Sequence, residues 1–564
     1  MAIFQVSAKL GSSLLFEPVT NHPFLAFLLS FLAYGFILTV YRLFFSPLSA
    51  VPGPKLAAVT RLWILYHDYQ DQRTDIVTDL HRKYGPVVRL APNEVSFTST
   101  TAVKDIYTGS GRESGFPKGF LYAMFTHYGR YNMFSSLTSE AHSWRRRMIA
   151  SSYSLTNILN REASRGDIWR TVGEYVKYVR REGSESKNGP GRSIDIYPAN
   201  IYFACDNVSA HVFGEERGTK TLGSLVDSAE IKLQRDSIDD WYVPTRREKI
   251  YLWTDFNVAL RCFEAFERTT QKVIRIIQRR VDPDSKYIGG TFLHNYAYKN
   301  MRELKDRPSV ELTVAKNLLS GKVSGKVSEV FDEYGAASES MDHMLAGMDT
   351  TSDTLSFLLA MLSLPEHHEY QETIRSSLPD LCPFDQPLTV ADINQILNNT
   401  YLNSVIKETL LIFPAIPVTL PRVVPSGGRV VDGLWLPAGT LASSSVRAVN
   451  LTFLPEFEKN PGNVQWKPSR WLVKSDADKD RVQELERRLW SFGSGGRGCI
   501  GKHLALTEMS LLLAAILANF KLRRDDDDNN DALETPHSHW TCRRSFRDIA
   551  YLQDFHGFLR FEPL

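Results

Sequence analysis

Near the C-terminus the chain reads Phe492-Gly-Ser-Gly-Gly-Arg-Gly-Cys-Ile-Gly501, a single cysteine in a glycine-rich loop. Phe492 stands seven residues before the cysteine, Arg497 two before it and Gly501 two after. Downstream, Ala505, Met509, Leu512, Leu513, Ile516, Leu517 and Phe520 recur at helical spacing. The loop thus delivers Cys499 to the start of a buried helix. Unpaired N–H groups and a partial positive charge at a helix N-terminus favour thiolate over thiol. Glycines let the backbone fold tightly around the sulfur, and an iron held by thiolate is pushed toward O–O bond cleavage. This is the physical reading of a haem-ligand loop. The plain alternative is an inert core cysteine. Gly493-x-Gly495-x-x-Gly498 also fits a dinucleotide fingerprint, but that needs a preceding apolar strand, and Gln483-Glu-Leu-Glu-Arg-Arg488 is charged.

Two other stretches carry chemistry. In Ala141-His-Ser-Trp-Arg-Arg-Arg-Met148, a helix would put His142 and Arg146 one turn apart on one face, able to bind an anionic group together. A solvated basic face is the alternative. The second stretch is Ala346-Gly-Met-Asp-Thr-Thr351, inside a run with apolar residues at 341, 344, 345, 348, 355, 359 and 362 that ends at Pro365. The pattern predicts a long buried helix over about 340–364. A central Gly costs ~1 kcal/mol relative to Ala, and the Thr350 hydroxyl can bond back to the Ala346 carbonyl, opening the helix locally. A dioxygen pocket with a proton relay gives such residues a reason; packing by small residues is the other.

These motifs together resemble the cytochrome P-450 superfamily. The spacing Phe-x-x-Gly-x-Arg-x-Cys-x-Gly matches its haem loop at all five defining positions, and residues 346–351 match its oxygen-activation motif. The resemblance implies haem b held through Cys499, with Phe492 and Arg497 beside it and Ala346 and Gly347 against the cofactor. His142 and Arg146 would bind a haem propionate, with Trp144 less clearly placed. Arg145 and Arg147 would face outward toward an acidic electron donor. Asp349 would deliver protons and Thr350 would act in dioxygen activation. Arg422, in Leu420-Pro-Arg-Val-Val424, sits where many members place another propionate ligand, although a surface strand arginine fits equally. Where the family has Glu-x-x-Arg, this chain has Glu408 and then Leu411, while the later Pro468-Ser-Arg-Trp471 is present. That departure questions the scaffold on the haem side.

The elements that must position these residues are mainly helical, with minor β pieces such as Val87-Val-Arg-Leu90 and Arg429-Val-Val431. With 66 basic against 64 acidic side chains, no net field argues for nucleic acid. Five scattered cysteines (205, 262, 382, 499 and 542) form no disulfide framework and suit a reducing compartment. Phe24 to Tyr41 is an uncharged apolar run of 18 residues, ~27 Å as a helix, about the thickness of an endoplasmic-reticulum bilayer. It reads as a retained anchor, with a cleaved signal peptide as the alternative. Arg42, Lys55 and Arg61 beyond it place the following chain in the cytosol. The expected layout is a short lumenal segment 1–23, an anchor 24–45, a proline-rich hinge 46–56 and one catalytic domain 57–564.

The aromatic segment Phe116 to Phe134 is expected to roof a substrate pocket, with Ala415–Val418 and Tyr551–Asp554 as further walls. The resemblance implies a monooxygenase inserting one atom of dioxygen into an apolar small molecule, with electrons from NADPH through a reductase. Fungal secondary metabolism, on terpenoid or polyketide-like skeletons, is the branch it looks most like. A haem-thiolate isomerase or dehydratase, and a non-catalytic membrane haem protein, are the alternatives.

Overall fold

A computed structural model describes residues 23–564, apart from 71, 109–114, 161, 184–192, 224–291, 307–312, 321, 324–325, 328–330, 460–463 and 525–557. The expected pocket wall at Tyr551–Asp554 lies outside the described residues.

The architecture is mainly α with minor β, as the periodicity predicts. Helix α1 (Pro23–Val40) continues as a π turn, Tyr41–Phe45. Together Phe24–Phe45 make 22 residues long and apolar enough to cross a membrane, with large side chains such as Phe24, Phe27 and Phe36 fully presented outward. Ser46 to Pro54 is non-helical, as its prolines require. Lys55 and Leu56, expected in the hinge, already belong to a helix, Lys55–Val59.

The centre is built around α5 (Glu333–Ser363), which begins about two turns earlier than its apolar pattern. The Asp332 side chain accepts from Gly335 N at 2.6 Å and starts the helix, and Leu364 is extended before Pro365. It packs most extensively on α4 (Ile196–Phe213), then on the helix Phe292–Asp306 and on α6 (Thr400–Ile412), while α3 (Glu162–Gly183) packs on α4 and α2 (Ser139–Ile149) reaches the centre through Arg145 and Glu339. The helix after the cysteine loop, α7 (Lys502–Asn519), lies against α3, α5 and α6. Between α4 and α5 the buried polar groups pair across the interface. Tyr197 donates to Asp353 at 2.9 Å, and Asn200 donates to Ser356 at 2.9 Å while accepting from Tyr175 of α3. Satisfied in this way, they fix the crossing without the cost of orphaned polar atoms.

A four-stranded sheet runs β1 (Val87–Ala91), β2 (Glu94–Phe97), β5 (Leu441–Ser443), β4 (Arg422–Val423), with only the β2–β5 pair parallel. A second sheet orders β6 (Phe520–Arg524), β7 (Phe558–Pro563) and β3 (Ile194–Asp195), all antiparallel. The first sheet matters most here, because an isolated bridge joins Lys118 to Arg422 at its edge.

Candidate active site

The cysteine loop is a tight structure held by its own backbone. Cys499 N donates to Phe492 O at 2.8 Å, closing the loop on the residue that opens the motif. Gly495 has φ +68, and a Cβ there would lie 2.9 Å from Tyr107 O and Thr108 Cα, so only glycine fits. The Cys499 sulfur accepts from the N–H groups of Gly501 and Lys502, the first turn of α7. Both N–H groups lower the thiol pKa, the sense expected of that helix end. Burial pushes the thiol pKa up and outweighs those two donors and Arg146. Yet the Cys499 side chain is open rather than packed. Openness and desolvation conflict at an outer surface, but they agree for a side chain facing an interior cavity.

Helix α5 faces a cavity in the same sense. From Gly335 to Ser363 every residue is buried except Asp342, Ala346, Gly347 and Thr350. Asp342, Ala346 and Thr350 lie four apart and form one open stripe. Thr350 Oγ1 donates to Ala346 O at 2.7 Å, the back-bond expected from the sequence. Asp349 is buried, on the side where it influences Cys205 of α4, away from the stripe. Gly347, also open, has a packing reason as well. A Cβ there would lie 2.6 Å from Val208 Cγ2, so this glycine lets α5 approach α4.

Between these elements five basic side chains converge. His142, on α2, is buried, and its pKa is held down to about 3 by burial and by Lys118, Arg497, Arg146 and Arg422. Arg146 donates to Gly498 O at 2.7 Å and so ties α2 to the cysteine loop. Arg497 donates to Phe116 O at 3.2 Å and Ser139 Oγ at 2.7 Å, and burial with Arg422 pulls it down to about 10. Arg422 is buried, which removes the surface-strand alternative. It donates to the Tyr122 hydroxyl at 2.7 Å and lies over the Tyr107 and Tyr122 rings, while its Nε has no partner.

Lys118 is the member that sequence reasoning missed. It donates to the carbonyls of Met133 and Phe134, and burial, Arg422 and Arg497 hold its pKa well below the ordinary lysine value. The signal available was one lysine inside the aromatic stretch 116–134. Among the described residues, none of Lys118, Arg146, Arg422 and Arg497 is within 4.0 Å of a carboxylate. Desolvated cations without counter-charge are costly. A planar apolar ligand carrying two carboxylates beside a cysteine sulfur meets that cost, so these residues fit a haem.

Other expectations are redirected. Arg145 does not face outward. It turns inward to within 3.7 Å of Glu339 on α5 and stacks on Trp144 and Phe331, because that buried carboxylate attracts it. Trp144 packs on Phe331 beneath the Arg145 guanidinium, and Arg147 alone of the pair is exposed. Phe492 is half-buried, with Lys502 Nζ over its ring. In the expected roof, Tyr122, Phe125 and Phe134 meet edge to face at 5.1–5.2 Å, whereas Phe120 and Tyr131 point outward.

Comparisons with known proteins agree with this geometry. The cytochrome P450 family profile matches residues 51–543. The chain is 26% identical to the cytochrome P450 monooxygenase gsfF of Penicillium aethiopicum, over 91% of this chain and 94% of that protein. It is 28% identical to the cytochrome P450 monooxygenase astD of Aspergillus oryzae, over 88% of each. It is 26% identical to the pisatin demethylase of Fusarium vanettenii, over 93% of this chain and 92% of that protein. With the family's loop, its central helix and its cation cluster all in place over nearly the whole length, the chain belongs to the cytochrome P450 family.

Proposed function

We propose that this protein is a membrane-anchored haem-thiolate monooxygenase acting on an apolar small molecule in fungal secondary metabolism, on a terpenoid or polyketide-like skeleton. The observation that carries the reading is the set of unpaired buried cations beside the open sulfur of Cys499. When bound, haem supplies dioxygen activation and two-electron oxidation chemistry. The residues supply the rest. Gly501 and Lys502 N–H groups hold the Cys499 sulfur in place, and Arg146 braces the loop through Gly498 O. Lys118, Arg422 and Arg497, with neutral His142, take the carboxylates. Thr350 keeps its hydroxyl proton in a bond to Ala346 O, and rotation about χ1 turns that proton toward the open stripe. Asp349, on the neighbouring face, feeds protons to it. Apolar walls exclude water from the reacting carbon.

The anchor fixes the protein in the endoplasmic-reticulum membrane by a single pass, with the domain in the cytosol. There a reductase passes electrons from NADPH, and exposed Arg147 contributes to the docking surface. Of the three Asn-x-Ser/Thr sequences, Asn207 and Asn450 are buried and only Asn398 is exposed. Glycan at Asn398 would reverse this topology.

The test of the chemistry is the carbon-monoxide difference spectrum of reduced protein. The red-shifted band of thiolate ligation is expected, and Cys499→Ala should abolish it; a band that survives would overturn the assignment. Thr350→Val separates oxygenation from isomerisation. It should keep haem content but divert NADPH oxidation from product to peroxide, and unchanged coupling would favour the isomerase.

A further inference from the structure

The chain leaving the anchor is bonded into the domain along its whole length, and one buried cation holds most of those bonds. We propose that Arg89, on β1, clamps the end of the anchor to the catalytic domain, making the two one rigid body and fixing the tilt of the domain over the bilayer. The inference rests on the anchor crossing the membrane, as proposed above.

The sequence creates the need for such a group. Ser46 N donates back to Tyr41 O at 2.8 Å, which closes the π turn at the end of the anchor. In the same pattern the next carbonyl, Arg42 O, would take the N–H of residue 47, but Pro47 has none. A carbonyl left open at a helix end needs a donor, and the negative end of the helix dipole favours a cation there. Arg89 answers both demands. Its Nη1 donates to Arg42 O at 2.9 Å and Leu48 O at 3.1 Å, and its Nη2 to Ser46 Oγ at 3.4 Å and Pro92 O at 2.9 Å. The planar fork of an arginine suits several acceptors at once, as the point charge of a lysine does not.

Other observations set this apart from an ordinary buried ion pair. Arg89 is 1% exposed, and no carboxylate lies within 4.0 Å of it among the described residues; Glu94, on the paired strand, is committed to Arg61 and Arg73. The charge is therefore met by oxygen dipoles, most of them on the chain leaving the membrane. The backbone is joined as well. Arg89 N donates to Pro52 O at 2.8 Å, and a Cβ on Gly53 would lie 2.6 Å from Arg89 O. From the anchor side, Arg42 donates to Val59 O at 2.7 Å. Leu48 and Val51, between these bonds, are buried in one apolar cluster with Val95 and Phe97 of β2. Prolines alone would make residues 46–54 stiff; the clamp leaves them no free span in which to swivel. A fixed tilt keeps the surface that receives electrons at one height, which suits a donor that is itself held at the membrane.

The test uses full-length haem-loaded protein in oriented bilayers, as wild type, Arg89→Met and Gly53→Val. Alkaline washing of wild type comes first: release would sink the anchor reading, whereas retention leaves only the clamp at issue. Linear dichroism of the Soret band then reads the tilt of the haem, and amide exchange reads the strap at Ser49 and Val51, whose N–H groups bond to Ser46 O and Leu48 O. Wild type should show strong dichroism and protected strap amides. Both variants, the second by forcing the strap off β1, should lose the dichroism. Strap exchange should speed up roughly 10-fold or more, the scale of one hydrogen bond to a charged group, with exchange in α5 unchanged. The carbon-monoxide band shows whether each variant is intact, and if one loses it the other decides. A change in one readout without the other, no change in either, or a wild type without dichroism would overturn the clamp. So would loss of the band in both variants, because Arg89 would then hold the fold rather than the orientation.

Discussion

Two regions of this molecule bury charge in opposite ways. Around Glu408, on α6, the account closes within the chain. The carboxylate accepts from Lys467 N at 2.7 Å, Arg470 Nε at 3.0 Å and Trp471 Nε1 at 2.8 Å, while Arg470 also reaches Glu456 and Gln465 O. Leu411, where the family carries an arginine, is fully buried in the core. Burial pushes the Glu408 pKa up, and Arg470, the Lys467 N–H and Trp471 oppose it. Beside Cys499, by contrast, cations gather with no carboxylate within 4.0 Å among the described residues, and Arg422 Nε has no partner. The first region is completed by folding, whereas the second is completed by a ligand. Losing one partner of a closed network costs stability whatever is bound; thinning an incomplete cluster costs ligand and can relieve the empty protein.

The sharpest test removes the centre of the closed network. Glu408→Ala strands Arg470, Trp471 Nε1 and Lys467 N, and should lower the unfolding free energy by ~3–5 kcal/mol. Urea denaturation should show the loss with haem and without it. A loss confined to the haem-loaded form would erase the contrast between the regions.

Arg422→Met should do the reverse. Haem affinity in a titration should fall by about 10-fold or more, while the haem-free protein melts at the same temperature or higher. A lower melting temperature without haem would mean that the bond to Tyr122 and the ring contacts outweigh the cost of the unmatched charge.

Gly347→Val tests the helix crossing, because the new side chain meets Val208. A cost of ~1–3 kcal/mol is expected from overpacking, with Val208→Ala restoring stability and haem content together. Failure of that rescue would return Gly347 to the cofactor.

Acidity should separate the haem-free and haem-loaded forms. His142 is held down to about 3 in the folded protein, below its ordinary 6.5. The unfolded chain therefore takes up a proton that the folded one refuses, so this contribution to stability is present above about 6.5 and is lost as pH falls toward 3. Haem carboxylates offset the neighbouring cations, so the haem-loaded protein should lose less, and His142→Gln should flatten the haem-free curve. Parallel pH curves for the two forms would exclude coupling to the cluster.

The smallest expected effect is at Leu411. Because Glu408 already has its donors, Leu411→Arg should give no gain in thermal midpoint or haem loading. A gain would show the network to be damaged rather than closed.

Much of this was legible in the residues. The loop around Cys499, the helix after it and the Thr350–Ala346 bond all follow from spacings of a few residues. Backbone geometry fixes such spacings, and the bond at 2.7 Å is an i to i−4 contact that any helix offers. The aromatic stretch signalled a pocket but not its lysine, because Lys118 acquires meaning only beside Arg422, far along the chain. Arg145 was misjudged for a similar reason. Its helical face was predictable, but the pull of Glu339 on another helix was not.

The sequence by itself determined which side chains share a turn, where the thiol emerges and which helix is apolar enough to sit at the centre. Those are consequences of local periodicity. Only the tertiary structure decided which charges are paired, since pairing depends on groups distant in sequence meeting within a few ångströms in low dielectric. By that route Glu408 gained a full set of donors despite Leu411, Gly347 met Val208 across the α4–α5 crossing, and Lys118, Arg422 and Arg497 were left without a carboxylate within 4.0 Å among the described residues.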